Sequence, residues 1–205
     1  KNPLTYDDYF NADWVVEPFR RYDCCIMSDG GRACIVTSKE RAQDLKNPLV
    51  TIMGLGEANS SVDIHQSSSM AGPTPARRAG AMAFNMAEIS ANDVDACEIY
   101  DCFTYTVEIT LQDYGFFKPG EGRDWFADGR TAPGGEIPVN TSGGLLSDSY
   151  CMGLTPVTEG VMQLMGRCGA RQLGSNVGTK TPDIILCSDN GAVFQSHATI
   201  ILRRL

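Results

Sequence analysis

Apolar residues recur at helical spacing in three stretches of the chain. Leu154, Val157, Val161, Leu164 and Met165 share one face, which predicts a helix running from just after Gly153 to near Gly166. Thr155 is placed to cap it and Pro156 suits its first turn. Ala76, Ala79, Ala83 and Ala87 form a stripe of small residues behind Pro73-Thr74-Pro75, a helix face suited to close packing. Val107, Leu111 and Tyr114 share a third face, which stops at Gly115. Thr5 and Ser38 mark the starts of two short helices, Tyr6 to Phe10 and Lys39 to Leu45.

Between these lie β-rich runs: Leu49 to Leu55, Ala96 to Ile99, Asp183 to Cys187 and Val193 to Leu202. Asn190-Gly191 is a hairpin signal that would join the last two strands. Trp14 to Phe19 reads as extended around Pro18. Cys24 to Met27 and Ala33 to Thr37 flank Asp29-Gly30, which alone would fit a hairpin. Gly56 to Gly72 reads as a Ser-rich loop, and Phe116 to Ser142 as a long one, of a length that is usually functional or mobile. The alternation of strands and helices predicts a layered α/β domain. Tyr100 then falls at the end of a strand and before a helix, where open α/β sheets hold their ligands.

Composition narrows the function classes. The 205 residues are 42% hydrophobic and 20% charged, with a net charge of −8. That supports a core and argues against nucleic acid, which requires a basic face. No apolar run approaches the roughly 18–20 residues that span a bilayer. Eight scattered cysteines form no Cys-x-x-Cys pair, so a metal site is not expected and reduced, buried thiols in a cytoplasmic protein are. The start at Lys1-Asn2-Pro3, with no initiator Met, reads like the middle of a longer polypeptide.

Gly143-Gly144, Ser149-Tyr150-Cys151 and Gly153 resemble the glycine-glycine…glycine-histidine-proline…glycine loop of the thiolase superfamily, in its lipid-transfer-protein branch. Gly143, Gly144 and Gly153 match and would contact substrate; Tyr150 replaces the family histidine and Cys151 the proline. Tyr100-Asp101-Cys102-Phe103 resembles the family's histidine-aspartate-cysteine-phenylalanine type motif, again with tyrosine for histidine. The resemblance covers nearly the whole chain as the C-terminal half of such a protein. It implies a thiolase-like α-β-α fold, with residues 1–22 an arm from the loop domain and 23–205 the C-terminal core domain. It also implies that Arg32 to Val36 is a central strand, and that the nucleophilic cysteine belongs to an N-terminal half.

Two base-forming residues replaced by tyrosine point to a changed reaction. A phenol, with a reference pKa near 10, is an acid at neutral pH and a base only when that value is lowered. The helix N-termini beside Tyr100 and Tyr150 would lower it. Such a pair suits retro-aldol cleavage of a β-hydroxyacyl thioester, which takes one proton from an alcohol and delivers one to a carbanion.

The pattern resembles that of the steroid side-chain-cleaving aldolases. This implies a steroid CoA thioester with a 17-hydroxyl, split to a ketosteroid and propionyl-CoA, with no cofactor beyond the coenzyme A of the substrate. It also implies a homodimer, joined by an OB-fold partner with a zinc-binding element into a heterotetramer. A thiolase-type acyltransferase and a non-catalytic acyl-CoA carrier are the alternatives. Cys187, Asn190 and Gly191 stand where the family has its C-terminal catalytic loop, as candidate catalytic or oxyanion groups; Cys187 could equally end a buried strand. Cys102 and Cys151 read as packing residues, and His65 and His197 as core or surface histidines.

Overall fold

The computed structural model describes residues 3–60, 66, 69–177 and 180–205; His65 lies outside them. The N-terminal residues form α1 (Tyr6–Phe10), capped by Thr5 and Asp8 in a reciprocal box, then a hairpin of β1 (Trp14–Val16) and β2 (Phe19–Arg20). Buried Asp23 ties this arm down. It accepts from the Tyr9 hydroxyl at 3.0 Å, the Arg20 amide at 2.8 Å and the Thr104 hydroxyl at 2.8 Å. The short helix α2 (Lys39–Gln43) follows, with Ser38 at its cap.

The main sheet is built from β3 (Val50–Asn59), β4 (Ala96–Glu98), β5 (Ile184–Gly191) and β6 (Ser196–Arg204), in the order β3-β6-β5-β4. β4 runs parallel to β5, and β6 is antiparallel to both its neighbours. The helices α3 (Pro75–Ala87) and α4 (Thr104–Tyr114) cover one face. There Cys97, Ile99 and Leu186 meet Leu111 and Tyr114, and Ile201 meets Ala83 and Ala87. The turns α5 (Gly122–Trp125) and α6 (Gly144–Ser147) precede α7 (Leu154–Leu164). α7 covers the other face, where Val157, Val161 and Leu164 pack on Ala96, Ile185, Cys187 and Leu202. The result is the expected α-β-α layering.

The alanine stripe of α3 has a partner in β3. A Cβ on Gly54 would strike the Ala83 carbonyl, and one on Gly56 the Ala79 carbonyl. Helix backbone therefore lies almost directly on strand backbone, and only glycine facing alanine permits it.

Several expectations fail for identifiable reasons. Arg32 to Val36 is not a strand, and Asp29-Gly30 does not turn a hairpin: residues 25–38 have no regular structure. Ile35 and Val36 are 92% and 79% exposed, because among the described residues no sheet edge takes up their backbone groups. Asn190-Gly191 is not the turn either. β5 stays paired through Gly191, opposite Ser196, and the chain reverses at 192–195 with positive φ at Ala192, Val193 and Phe194. Phe194 is buried there beside Tyr105, a contact that a two-residue turn could not make. β3 runs on to Asn59, beyond the expected Leu55. Within Phe116 to Ser142, Phe117 stacks near Trp125 with centroids 4.9 Å apart, and Val139 bridges Cys97 beside β4.

Replacing Gly56 with Ala in the full-length protein is expected to lower stability by about 1–3 kcal/mol, the usual range for overpacking. A urea titration reads this directly, and an unchanged midpoint would contradict the close approach.

Candidate active site

Tyr100 lies just past β4. The strand's hydrogen bonding ends there: the Ile99 amide donates to Asn140 Oδ1 at 2.7 Å, and the Thr106 hydroxyl from α4 donates to the Tyr100 carbonyl at 3.1 Å. Tyr150 lies in the loop between α6 and α7, and that loop is clamped from three sides. The Tyr150 amide donates to Ser28 Oγ at 2.7 Å. The Thr155 hydroxyl accepts from the Cys151 amide at 3.1 Å and donates to the Ser149 carbonyl at 2.9 Å. Arg32 pairs with Asp148 and donates to Ser149 Oγ at 2.8 Å. Thr155 therefore tightens the loop and does not cap the helix; Gly153 is the N-cap.

These restraints bring the two phenols together. The Tyr100 and Tyr150 hydroxyls hydrogen-bond to each other, with ring centroids 6.1 Å apart and planes at 75°. Tyr100 is buried, with Cys102 and Leu145 around it. Burial raises its pKa well above the ordinary tyrosine value, and the Tyr150 hydrogen bond and nearby negative charge, Asp189 included, add to the rise. The expected lowering by a helix end is overturned for Tyr100. Desolvation outweighs the helix field, so this phenol stays protonated at neutral pH.

The glycines have structural partners. Gly143 and Gly144 take φ of 101° and 60°, and a Cβ on Gly144 would collide with the Asp101 carboxylate. Buried Asp101 accepts from the Leu145 amide at 2.7 Å and, more weakly, from the Leu146 amide at 3.4 Å. Gly153 is packed against the Asp189 carboxylate in the same way.

Cys187 is buried beneath α7 against Gly160, and burial holds its thiol well above the ordinary value. The Asn190 amide group is buried and, among the described residues, has no hydrogen-bond partner. Gly191 pairs with Ser196 at the end of β5. Cys102 is buried and its thiol is raised to about 11 by burial, while Cys34 is exposed. His197 is buried, its Nε2 2.7 Å from the Tyr114 hydroxyl; burial lowers it to about 4 and keeps it neutral.

Sequence reasoning overlooks a buried carboxyl pair under the site. Thr141 Oγ1 is 2.7 Å from Glu98 Oε1 and 2.9 Å from Glu159 Oε1, and it accepts from Gln163 Nε2 at 3.0 Å. Arg171 pairs with the other Glu159 oxygen at 3.0 Å. A threonine hydroxyl has one proton and cannot donate to two carboxylates, so one carboxyl must carry a proton. Glu98 is that one, raised to about 8 by burial first and by the Glu159 charge, against the lowering hydrogen bond of Thr141. The available signal was a glutamate inside the apolar run Ala96 to Ile99.

A three-layer α/β core with paired phenols at the carboxyl end of a parallel strand is the class this chain defines. Residues 56–204 match the thiolase C-terminal domain-like family, and the chain belongs to that family. It is 36% identical over 171 residues to the "Steroid side-chain-cleaving aldolase" of Thermomonospora curvata, covering 81% of this chain and 44% of that protein. It is 35% identical over 168 residues to the "17-hydroxy-3-oxo-4-pregnene-20-carboxyl-CoA lyase" of Mycobacterium tuberculosis, covering 80% and 44%. The solved "Ltp2-ChsH2(DUF35) aldolase" superposes with a TM-score of 0.88 at 32% identity, over 98% of this chain and 52% of the other. The chain thus spans less than half the length of these two curated relatives. Among the described residues, no helix is long and apolar enough to cross a membrane.

Glu98 yields a signed prediction. Between the ordinary glutamate value and about 8, the folded chain keeps a proton that the unfolded chain has lost. Stability therefore falls as pH rises across that window. Glu98→Gln is expected to flatten the dependence in urea titrations at several pH values; an equally steep slope in the variant would contradict the assignment.

Proposed function

We propose that this chain carries the acid–base pair of a carbon–carbon lyase that cleaves a β-hydroxyacyl-CoA by retro-aldol chemistry. The observation that carries this reading is the hydrogen bond between the Tyr100 and Tyr150 hydroxyls. Tyr150, half-exposed, accepts the proton of the substrate's tertiary hydroxyl while its own proton passes along that bond to Tyr100. The Cα–Cβ bond breaks, its electrons go to the thioester enolate, and the β-carbon becomes a ketone. Tyr100 delivers its proton to Cα. Over the whole cycle each tyrosine ends with one proton, so the reaction has no net uptake or release of protons.

Burial raises the pKa of Tyr100 and so keeps on it the proton that it would deliver. The names of the two relatives support a steroid side-chain thioester with a 17-hydroxyl as substrate, giving a ketosteroid and propionyl-CoA. Acyl transfer of the thiolase kind fits poorly, because tyrosines replace both family histidines. Gly143, Gly144 and Gly153 belong to the proposed substrate wall, and coenzyme A enters only as part of the substrate. The two-component name of the solved neighbour supports a partner chain. An OB-fold partner with a zinc-ribbon element, joining a homodimer of this chain into a heterotetramer, belongs to the same proposal.

Tyr100→Phe and Tyr150→Phe are each expected to lower kcat by about 100-fold or more, the scale of a lost proton-transfer group. The test is mass-spectrometric detection of ketone and shortened acyl-CoA from a β-hydroxyacyl-CoA with a tertiary hydroxyl, using the full-length protein with its partner. Turnover unchanged in either variant would remove that tyrosine. Transfer to or from free CoA would return the protein to the thiolases, and binding without reaction would make it a carrier.

A further inference from the structure

The relay between the two tyrosines leaves a gap in time. The hydroxyl loses its proton before the C–C bond breaks, and the enolate can take one only afterwards. A phenol cannot hold two protons, so in a stepwise reaction a third group must keep one in between.

β5 supplies a candidate. In the parallel pairing, Ala96 lies opposite Ile185 and Glu98 opposite Cys187. Two residues beyond that pair stand Asp189, still within β5, and Tyr100, just past β4, and the Asp189 charge is felt at the Tyr100 phenol. Side chains alternate along a strand, so Asp189 shares the α7 face with Cys187. Gly153 lies directly against the Asp189 carboxylate, three residues after Tyr150. Asp189 Oδ1 is buried and, among the described residues, has no hydrogen-bond partner.

We propose that Asp189 is the proton-holding carboxylate of this site, taking the proton of Tyr100 when the substrate hydroxyl ionises and returning it for delivery to the enolate. The steps balance. The hydroxyl proton passes to Tyr150, that of Tyr150 to Tyr100, and that of Tyr100 to the Asp189 carboxylate. After C–C cleavage Asp189 gives its proton back to Tyr100, whose own proton goes to Cα. No oxidant, metal or further reactant enters. Asp189 acts through Tyr100 and is a positioning residue in the proton path.

The surroundings fit this role. Burial raises the Asp189 carboxyl above its ordinary value, with the Asn190 amide opposing, which makes it a stronger base than a solvated aspartate. The titratable groups around it are Tyr100, which feels its charge, Cys187 on its own strand with Glu98 opposite that residue on β4, and Glu57 of β3, which lines a cavity with it; Tyr150 and Cys151 lie just ahead of Gly153 in the chain. β6 places Ala198 opposite it. Among the described residues no cation is paired with it.

The proposal rests on the retro-aldol reading, and one experiment separates the two. Ketone formation would be followed across pH for the full-length protein with its partner, as wild type, Asp189→Asn and Asp189→Glu. Asp189→Asn should lower kcat about 100-fold, leave KM within about threefold, and abolish the acid limb of the wild-type profile. That limb should lie above the ordinary carboxylate range, and Asp189→Glu should restore part of the rate. A wild-type kcat with an intact acid limb in Asp189→Asn overturns the role of Asp189 alone. If Asp189→Asn does not fold, a wild-type profile without an acid limb overturns it instead. No ketone from the wild type overturns the underlying reading as well.

Discussion

The parallel pairing of β4 with β5 sets the geometry on which the site depends. It aligns Glu98 with Cys187, and alternation along each strand turns Glu98, Cys187 and Asp189 to one face. That face can be covered closely only by a helix with gaps in it. α7 has such gaps at its N-cap and near its middle: Gly153 sits over Asp189 and Gly160 over Cys187. Seven residues apart, the two glycines lie on one side of the helix. With the helix start placed this way, Tyr150, three residues earlier, comes to the phenol of Tyr100.

Burial then decides the charge state of nearly everything at this end of the sheet. It raises Tyr100, Glu98 and Asp101 and lowers His197. Desolvation favours the neutral form of acids and bases alike, so the groups around the phenols resist ionisation. The Glu98–Thr141–Glu159 cluster shows the same preference in the scaffold, where Arg171 balances one carboxylate and the other carboxyl keeps its proton.

The loop that carries Tyr150 is held largely by residues distant in sequence. Ser28 takes its amide, and Arg32 holds Asp148 and Ser149. Both come from the irregular segment 25–38, which also lays the Cys25 amide on the Cys102 carbonyl at 3.0 Å and the Ile26 amide on the Leu145 carbonyl at 3.2 Å. A segment without strand or helix thus ties the two tyrosine loops together, while its Ile35 and Val36 stay exposed.

Much of the architecture was legible in local pattern. The faces of α3, α4 and α7, the Thr5 and Ser38 caps and the stop at Gly115 follow from spacing and capping chemistry, which act within a few residues. Tyr100 and Tyr150 could be picked out as tyrosines in places where a related family carries histidine. Their hydrogen bond could not, since it joins residues fifty positions apart through strand register and helix placement. Nothing local singled out Asp189, which stands just before the Asn190-Gly191 turn signal, because such a signal cannot reveal that pairing continues to Gly191 once Phe194 finds a buried site. The failed strand at Arg32 to Val36 has the same cause: β propensity is local, but a strand forms only where a partner edge accepts its hydrogen bonds. The sequence by itself determined which segments fold and where the unusual phenols lie. The tertiary structure alone decided which side chains meet and, through burial, which of them keep their protons.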